Sequence, residues 1–128
     1  MEIWLIDDDD IYRMLAGKIL STNTKEEYQL VEFENARQPL NELGERLDFE
    51  KPMPNIILLD INMPAYDGWQ FLEDYQLLMK RYKGPIPELF MVSSSVNFAD
   101  IKRAKSNELV RDYVTKPFSE DFVKQLWA

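Results

Sequence analysis

Charged residues close three separate apolar runs, and their types are those of cation and phosphoryl chemistry. Asp7-Asp8-Asp9-Asp10 follows Ile3-Trp4-Leu5-Ile6, Asp60 follows Ile56-Ile57-Leu58-Leu59, and Lys116-Pro117-Phe118 follows Val110 to Thr115. Short apolar runs ended by a charge read as buried parallel strands with the charges gathered at their carboxyl ends. In open α/β sheets that edge is where ligands bind. Several carboxylates and one lysine meeting there make a site for a hard divalent cation and a phosphoryl group, because such cations take oxygen ligands.

Two absences narrow the chemistry further. The chain has no cysteine, which excludes disulfides, thiolate nucleophiles and zinc–thiolate sites. It has no histidine, which removes the commonest general base and any Ser-His-Asp triad. Carboxylate, lysine and hydroxyl chemistry remain, and any phosphohistidine donor must be another protein.

The elements that would position these groups follow from length and periodicity. A chain of 128 residues, 45% hydrophobic and 30% charged, suits one globular domain with a real core. Fifteen basic residues, scattered among 23 acidic ones, leave a net charge of -8, which argues against a nucleic-acid surface. No apolar run approaches the roughly 20 residues of a membrane span, and Met1-Glu2-Ile3-Trp4 lacks the basic start of a signal peptide. A cytoplasmic protein fits best. Strand-like runs fall near residues 2–6, 28–33, 55–59, 88–93 and 110–114. Ile11, Leu15 and Ile19 predict a helix after the Asp cluster, with acidic groups favourably at its N-terminus. Asn35 predicts the cap of a second helix carrying Leu40, Leu43 and Leu47, with Pro39 early in it. Trp69, Phe71, Leu72, Tyr75, Leu78 and Met79 mark a third, ended by Gly84-Pro85. A more polar fourth, near 97–106, carries Phe98, Ile101 and Ala104, and Ser119 caps the last, with Glu120 and Asp121 in its first turn. Five strands alternating with five helices imply a parallel sheet covered on both faces.

Four segments then carry a resemblance. They are Leu5-Ile6-Asp7-Asp8, Leu59-Asp60-Ile61-Asn62-Met63-Pro64-Ala65-Tyr66-Asp67-Gly68, Met91-Val92-Ser93-Ser94 and Asp112-Tyr113-Val114-Thr115-Lys116-Pro117-Phe118. In this order and spacing the chain resembles, over essentially its whole length, the CheY-like receiver domain of the response-regulator family, the phosphorylatable half of bacterial two-component signalling. The resemblance implies a flavodoxin-like, doubly wound five-stranded parallel sheet of order 2-1-3-4-5 with helices on both faces.

It also implies roles. Asp60 matches the phosphoacceptor, a carboxylate nucleophile that becomes an aspartyl phosphate. The four consecutive Asp residues leave the register of the acidic pair open on spacing alone, and the resemblance places it at Asp7 and Asp8. With Asp60 and the backbone carbonyl of Asn62 these would hold Mg²⁺ or Mn²⁺, which relieves the repulsion of carboxylates sharing a small space. Asp9 and Asp10 fall at the start of the first helix. Lys116, expected to be joined to Pro117 by a cis peptide, would pair with Asp60 before phosphorylation and with a phosphoryl oxygen after it. Ser93 would hydrogen-bond a phosphoryl oxygen, and Tyr113 matches the switch aromatic that follows that hydroxyl. Asn62 and Ser95 stand where the family tunes the lifetime of the phosphoryl bond.

The leading expectation is therefore a stand-alone response-regulator receiver, one domain over residues 1–128 with no output domain. It would accept a phosphoryl group from a histidine kinase or a histidine phosphotransfer protein, and catalyse only its own phosphorylation and dephosphorylation. The fourth helix, fifth strand and fifth helix would form the face for a downstream protein or for a second copy as a homodimer. Neither nucleic acid nor membrane is an expected partner. Two other readings compete: a receiver-fold binding module that is not phosphorylated, and a Mg²⁺ phosphohydrolase of the haloacid-dehalogenase kind, which leaves Asp60-Ile61-Asn62-Met63-Pro64 unexplained.

Overall fold

In chain order the elements are β1 (Glu2–Ile6), α1 (Asp10–Thr22), β2 (Gln29–Phe33), α2 (Arg37–Asp48), β3 (Ile56–Asp60), α3 (Gly68–Arg81), β4 (Glu88–Ser93), α4 (Phe98–Lys105), β5 (Val110–Thr115) and α5 (Glu120–Leu126), in a computed structural model that describes residues 1–127. The strands form one parallel sheet in the order β2-β1-β3-β4-β5. This is the doubly wound order implied by the four sequence segments. The chain reverses direction across the sheet between β1 and β3, which opens a crevice at their carboxyl ends.

Because side chains alternate along a strand, each central strand serves two cores. Trp4, Ile6, Ile57, Leu59, Leu89 and Met91 face one side, where they pack with Leu43 of α2 and with Phe71, Tyr75 and Met79 of α3. Ile3, Leu5, Ile56, Leu58, Phe90 and Val92 face the other, against Tyr12, Ala16 and Leu20 of α1 and Val123 and Leu126 of α5. Burial on both faces explains why these strands read as unbroken apolar runs instead of alternating ones. Arg46 of α2 ties the first layer to β1 by a two-pronged contact with Glu2, at 2.6 and 2.7 Å.

Local signals set the helix starts. Asp9 caps α1, its side chain accepting from the amides of Ile11 and Tyr12. Asn35 accepts from Gln38 N–H at 2.9 Å, so it caps α2 although the helix is assigned from Arg37. Pro39 falls in that first turn, where its missing N–H has no intrahelical partner to lose. Ser119 accepts from Phe122 N–H at 3.1 Å and caps α5.

Three expectations need correction. The Ile11, Leu15 and Ile19 stripe lies on α1, but only Ile19 packs partly on the core, and the buried face is Tyr12, Ala16 and Leu20, one residue further on. Phe98, read with Ile101 and Ala104 as the apolar residues of the fourth helix, is 87% exposed. Helix α3 stops at Arg81, before Gly84-Pro85, because Tyr82 already turns to an extended conformation.

Candidate functional site

Strand register carries four functional side chains to one edge. Asp7 extends β1, its N–H donating to Phe33 O at 3.0 Å. Asp60 ends β3 opposite Val92, and Ser93 ends β4 opposite Thr115. Lys116 N–H then donates to Ser93 O at 2.9 Å, and the Lys116–Pro117 peptide is cis as expected. Among the described residues, the buried polar and charged ones are Asp7, Asp60 and Ser93, and all three meet here. A sheet otherwise buried on both faces thus concentrates its buried polarity at its carboxyl edge.

Asp7, Asp8 and Asp60 each offer a carboxylate oxygen, and these oxygens lie within 4.8 Å of one another. Lys116 Nζ sits 2.6 Å from Asp7 Oδ2 and 3.3 Å from Asp60 Oδ1. The sequence reading paired Lys116 with Asp60, whereas here its shorter contact is to Asp7. Burial, then the neighbouring charge of Asp7, pushes the Asp60 carboxyl up to about 6, although Lys116 and the Asn62 amide oppose that rise. Burial works against the Lys116 ammonium, but the hydrogen bond to Asp7 and the charges of Asp60 and Asp7 outweigh it and hold its pKa above the ordinary value.

This donor set fits a hard divalent cation. It presents three carboxylate oxygens in a small space, with the Lys116 ammonium paired to two of the three carboxylates. An octahedral, oxygen-preferring ion that keeps several waters needs no more protein ligands than this.

The remaining predicted residues adjoin the cluster. Asn62 N–H donates to Asp60 Oδ1 at 3.3 Å, and its side-chain amide donates to Ser93 Oγ at 3.1 Å. Ser95 N–H donates to the same oxygen, also at 3.1 Å. With both acceptor positions of the hydroxyl used, its own proton remains free to be donated. Tyr113 stands one step away: half-buried against the α2–α3 core, it donates from its hydroxyl to Ser95 O at 2.7 Å. Ser93 and Tyr113 are therefore linked through one loop residue, Ser95.

Three supporting residues were given no role in the sequence reading. Gly68 opens α3 with its Cα pressed on the Asp60 backbone; a Cβ there would lie 2.7 Å from Asp60 O and 2.9 Å from Ile61 Cα. Its signal was the Asp67-x-x-Gln70 pattern, which forms a capping box and fixes where α3 starts. Arg13 donates from Nη1 to Asp7 O at 2.5 Å and pairs with Asp10. Tyr12 lies beside Lys116. Tyr12 had no sequence signal, because it acts through tertiary contact, and Arg13 had only its i,i+3 spacing from Asp10.

A parallel 2-1-3-4-5 sheet with an acidic cluster and a lysine at its carboxyl edge defines the class: a receiver-type α/β domain. The family described as "Response regulator receiver domain" matches residues 3–127, and the chain belongs to it. It is the receiver domain of a two-component response regulator. Among solved structures it resembles the two-component response regulator from Cytophaga hutchinsonii, with TM-score 0.82, 29% identity and coverage of 98% of this chain and 92% of that one. The Mn(2+)-bound form of response regulator Rcp1 shares the fold at TM-score 0.74, with 24% identity over 98% of this chain and 90% of that one. The DNA-binding transcriptional regulator NtrC of Escherichia coli is 28% identical over 124 residues, 93% of this chain and 22% of NtrC. The chain spans about a quarter of the length of the curated relatives it matches. Receiver domains hold Mg²⁺ or Mn²⁺ at the acidic pocket and are typically phosphorylated by histidine kinases.

Proposed function

We propose that Asp60 accepts a phosphoryl group from a phosphohistidine on a histidine kinase or histidine phosphotransfer protein. The observation that carries this reading is the convergence of Asp7, Asp8 and Asp60 within 4.8 Å, with Lys116 Nζ at 3.3 Å from Asp60. In the transfer, an Asp60 oxygen forms a bond to phosphorus while the bond from phosphorus to the imidazole nitrogen breaks, and the imidazole leaves with the electron pair. Asp60 must be ionised to attack, which Lys116 favours. Asp7, Asp8, Asp60 and the Asn62 carbonyl would hold Mg²⁺ or Mn²⁺, which supplies positive charge for the phosphoryl oxygens. The free proton of Ser93 is then donated to a phosphoryl oxygen. Drawing Ser93 inward pulls on Ser95, and through it on Tyr113, which makes that loop the switch.

We further propose that this receiver works in the cytoplasm as a stand-alone phosphoacceptor that turns over only its own phosphate, and that it signals through the face of α4, β5 and α5 to a protein target or a second copy. The donor's docking surface is the exposed side of α1. Ile11 and Met14, 66% and 68% exposed, stand there with Leu15, in the turns that follow the acidic pair.

The test is intact-protein mass spectrometry after incubation with acetyl phosphate, in Mg²⁺ and in EDTA, on wild type and Asp60→Asn. One phosphate adduct is expected on the wild type in Mg²⁺ alone. An adduct that persists on Asp60→Asn would move the acceptor elsewhere. An unmodified wild type, even with a phosphorylated donor protein, would leave the unphosphorylated binding module as the reading.

A further inference from the structure

The Lys116 ammonium is confined on three sides, and only two of them are carboxylates. Its Nζ lies 2.6 Å from Asp7 and 3.3 Å from Asp60, and 4.3 Å from the centroid of the Tyr12 ring. That distance is well inside the range at which an ammonium is attracted to the electron-rich face of an aromatic ring. Tyr12 is only 8% exposed. Its ring also meets the Phe118 ring edge-on, with centroids 6.1 Å apart and planes at 83°. Phe118 follows Lys116 by two residues, so the loop that carries the lysine also pins the ring facing it.

A core aromatic on α1 would satisfy packing without any such contact. The hydroxyl argues against packing or hydrogen bonding as the whole account, because it is buried and the Phe118 backbone amide beside it reaches it without good hydrogen-bond geometry. A poorly paired hydroxyl is a penalty that leucine or methionine would avoid. The face of the ring is what those residues lack.

The contact matters because Lys116 must change partners. Its short bond is to Asp7, whereas neutralising a phosphoryl group on Asp60 requires it to turn toward the new oxygens. Hydrogen bonds to carboxylates are directional and would have to break in that turn. Attraction to a ring face is much less directional and persists as the ammonium moves across it.

We propose that Tyr12 is a positioning residue for Lys116, its ring face holding the ammonium beside Asp60 while it exchanges Asp7 for a phosphoryl oxygen. This rests on the phosphoacceptor reading, but one readout is independent of it.

The experiment uses the full chain as wild type, Tyr12→Phe, Tyr12→Leu, Lys116→Ala and the Tyr12→Leu/Lys116→Ala double variant. The proton NMR shift of the Lys116 ε-methylene reports the ring directly. It is expected upfield in wild type and Tyr12→Phe, and at its ordinary position in Tyr12→Leu. Phosphorylation by acetyl phosphate in Mg²⁺ should match wild type in Tyr12→Phe and slow about 2- to 30-fold in Tyr12→Leu. In the Lys116→Ala background the same substitution should change nothing further. An unshifted ε-methylene in wild type, or a Tyr12→Leu defect that survives undiminished without Lys116, would overturn the proposal and return Tyr12 to the core. A shifted methylene on a wild type that takes no phosphate from acetyl phosphate or from a phosphorylated donor protein would establish the contact and overturn the phosphoacceptor reading instead. Should Tyr12→Leu not fold, Tyr12→Met carries the same comparison.

Discussion

Asp60 is a carboxylate whose ionised form is disfavoured by its surroundings, and that has a measurable sign. Its pKa rises from 3.8 to about 6 through burial and the charge of Asp7. Between those values the folded chain binds more protons at Asp60 than the unfolded chain does. Stability therefore falls as pH rises through that window, and the loss is complete above about 6. Asp60→Asn removes the strained charge. In EDTA it should stabilise the fold at pH 7.5 by up to about 3 kcal/mol, with the gain vanishing near pH 4. Urea denaturation at the two pH values checks this, and equal stability of the two proteins at pH 7.5 would refute the strain. Saturating Mg²⁺ should stabilise wild type more than the variant, by mass action on the folded state.

Elements decide whether that carboxylate is aimed. The Asp60 carbonyl and Ile61 Cα leave no room for a Cβ at position 68, and Gly68 N–H donates to Ile61 O at 3.0 Å, locking the two segments together. The requirement is close approach, not backbone conformation, since no glycine here has a positive φ. Gly68→Ala must push α3 off the end of β3. We expect it to cost about 1–3 kcal/mol, the usual range for overpacking, and on the phosphoacceptor reading to slow phosphorylation by acetyl phosphate. Unchanged stability and rate would show that the helix start yields without disturbing Asp60. At this scale the sequence was legible in part. Strand positions could be read because runs such as Ile56 to Leu59 are buried on both faces and end in a charge. The buried face of α1 could not, because Ile11-Leu15-Ile19 and Tyr12-Ala16-Leu20 have the same spacing and only packing on the sheet chooses between them.

For the whole molecule, the consequence of that choice is an apolar patch left in solvent. Ile11, Met14 and Leu15 face outward next to the acidic edge of a chain with net charge -8. On the docking reading proposed above, the donor that brings a phosphohistidine to Asp60 covers this surface. Met14→Glu should therefore slow transfer from the phosphorylated partner protein by tenfold or so, the scale of a charge set against a small apolar contact of about 1–2 kcal/mol. Phosphorylation by acetyl phosphate should be unchanged, since that donor needs no docking. Equal slowing with both donors would place the effect in the site itself and remove α1 as the docking face.

By itself the sequence determined the sheet and the reagents. Unbroken apolar runs dictate buried strands, charges at their ends dictate a polar edge, and the absence of histidine and cysteine leaves carboxylate and lysine to act there. The resemblance carried by four segments implied Asp7, Asp8, Asp60, Ser93 and Lys116 as the residues of that edge, where parallel register brings them together. Tertiary structure alone decided how they pair. Lys116 lies closer to Asp7 than to Asp60, Asn62 reaches Ser93 across two loops, and the Tyr12 ring faces the ammonium. The reason is physical: strand ends are set by local burial patterns along the chain. Distances between side chains on different strands depend on register, sheet twist and the space that neighbours leave, and no local pattern encodes them.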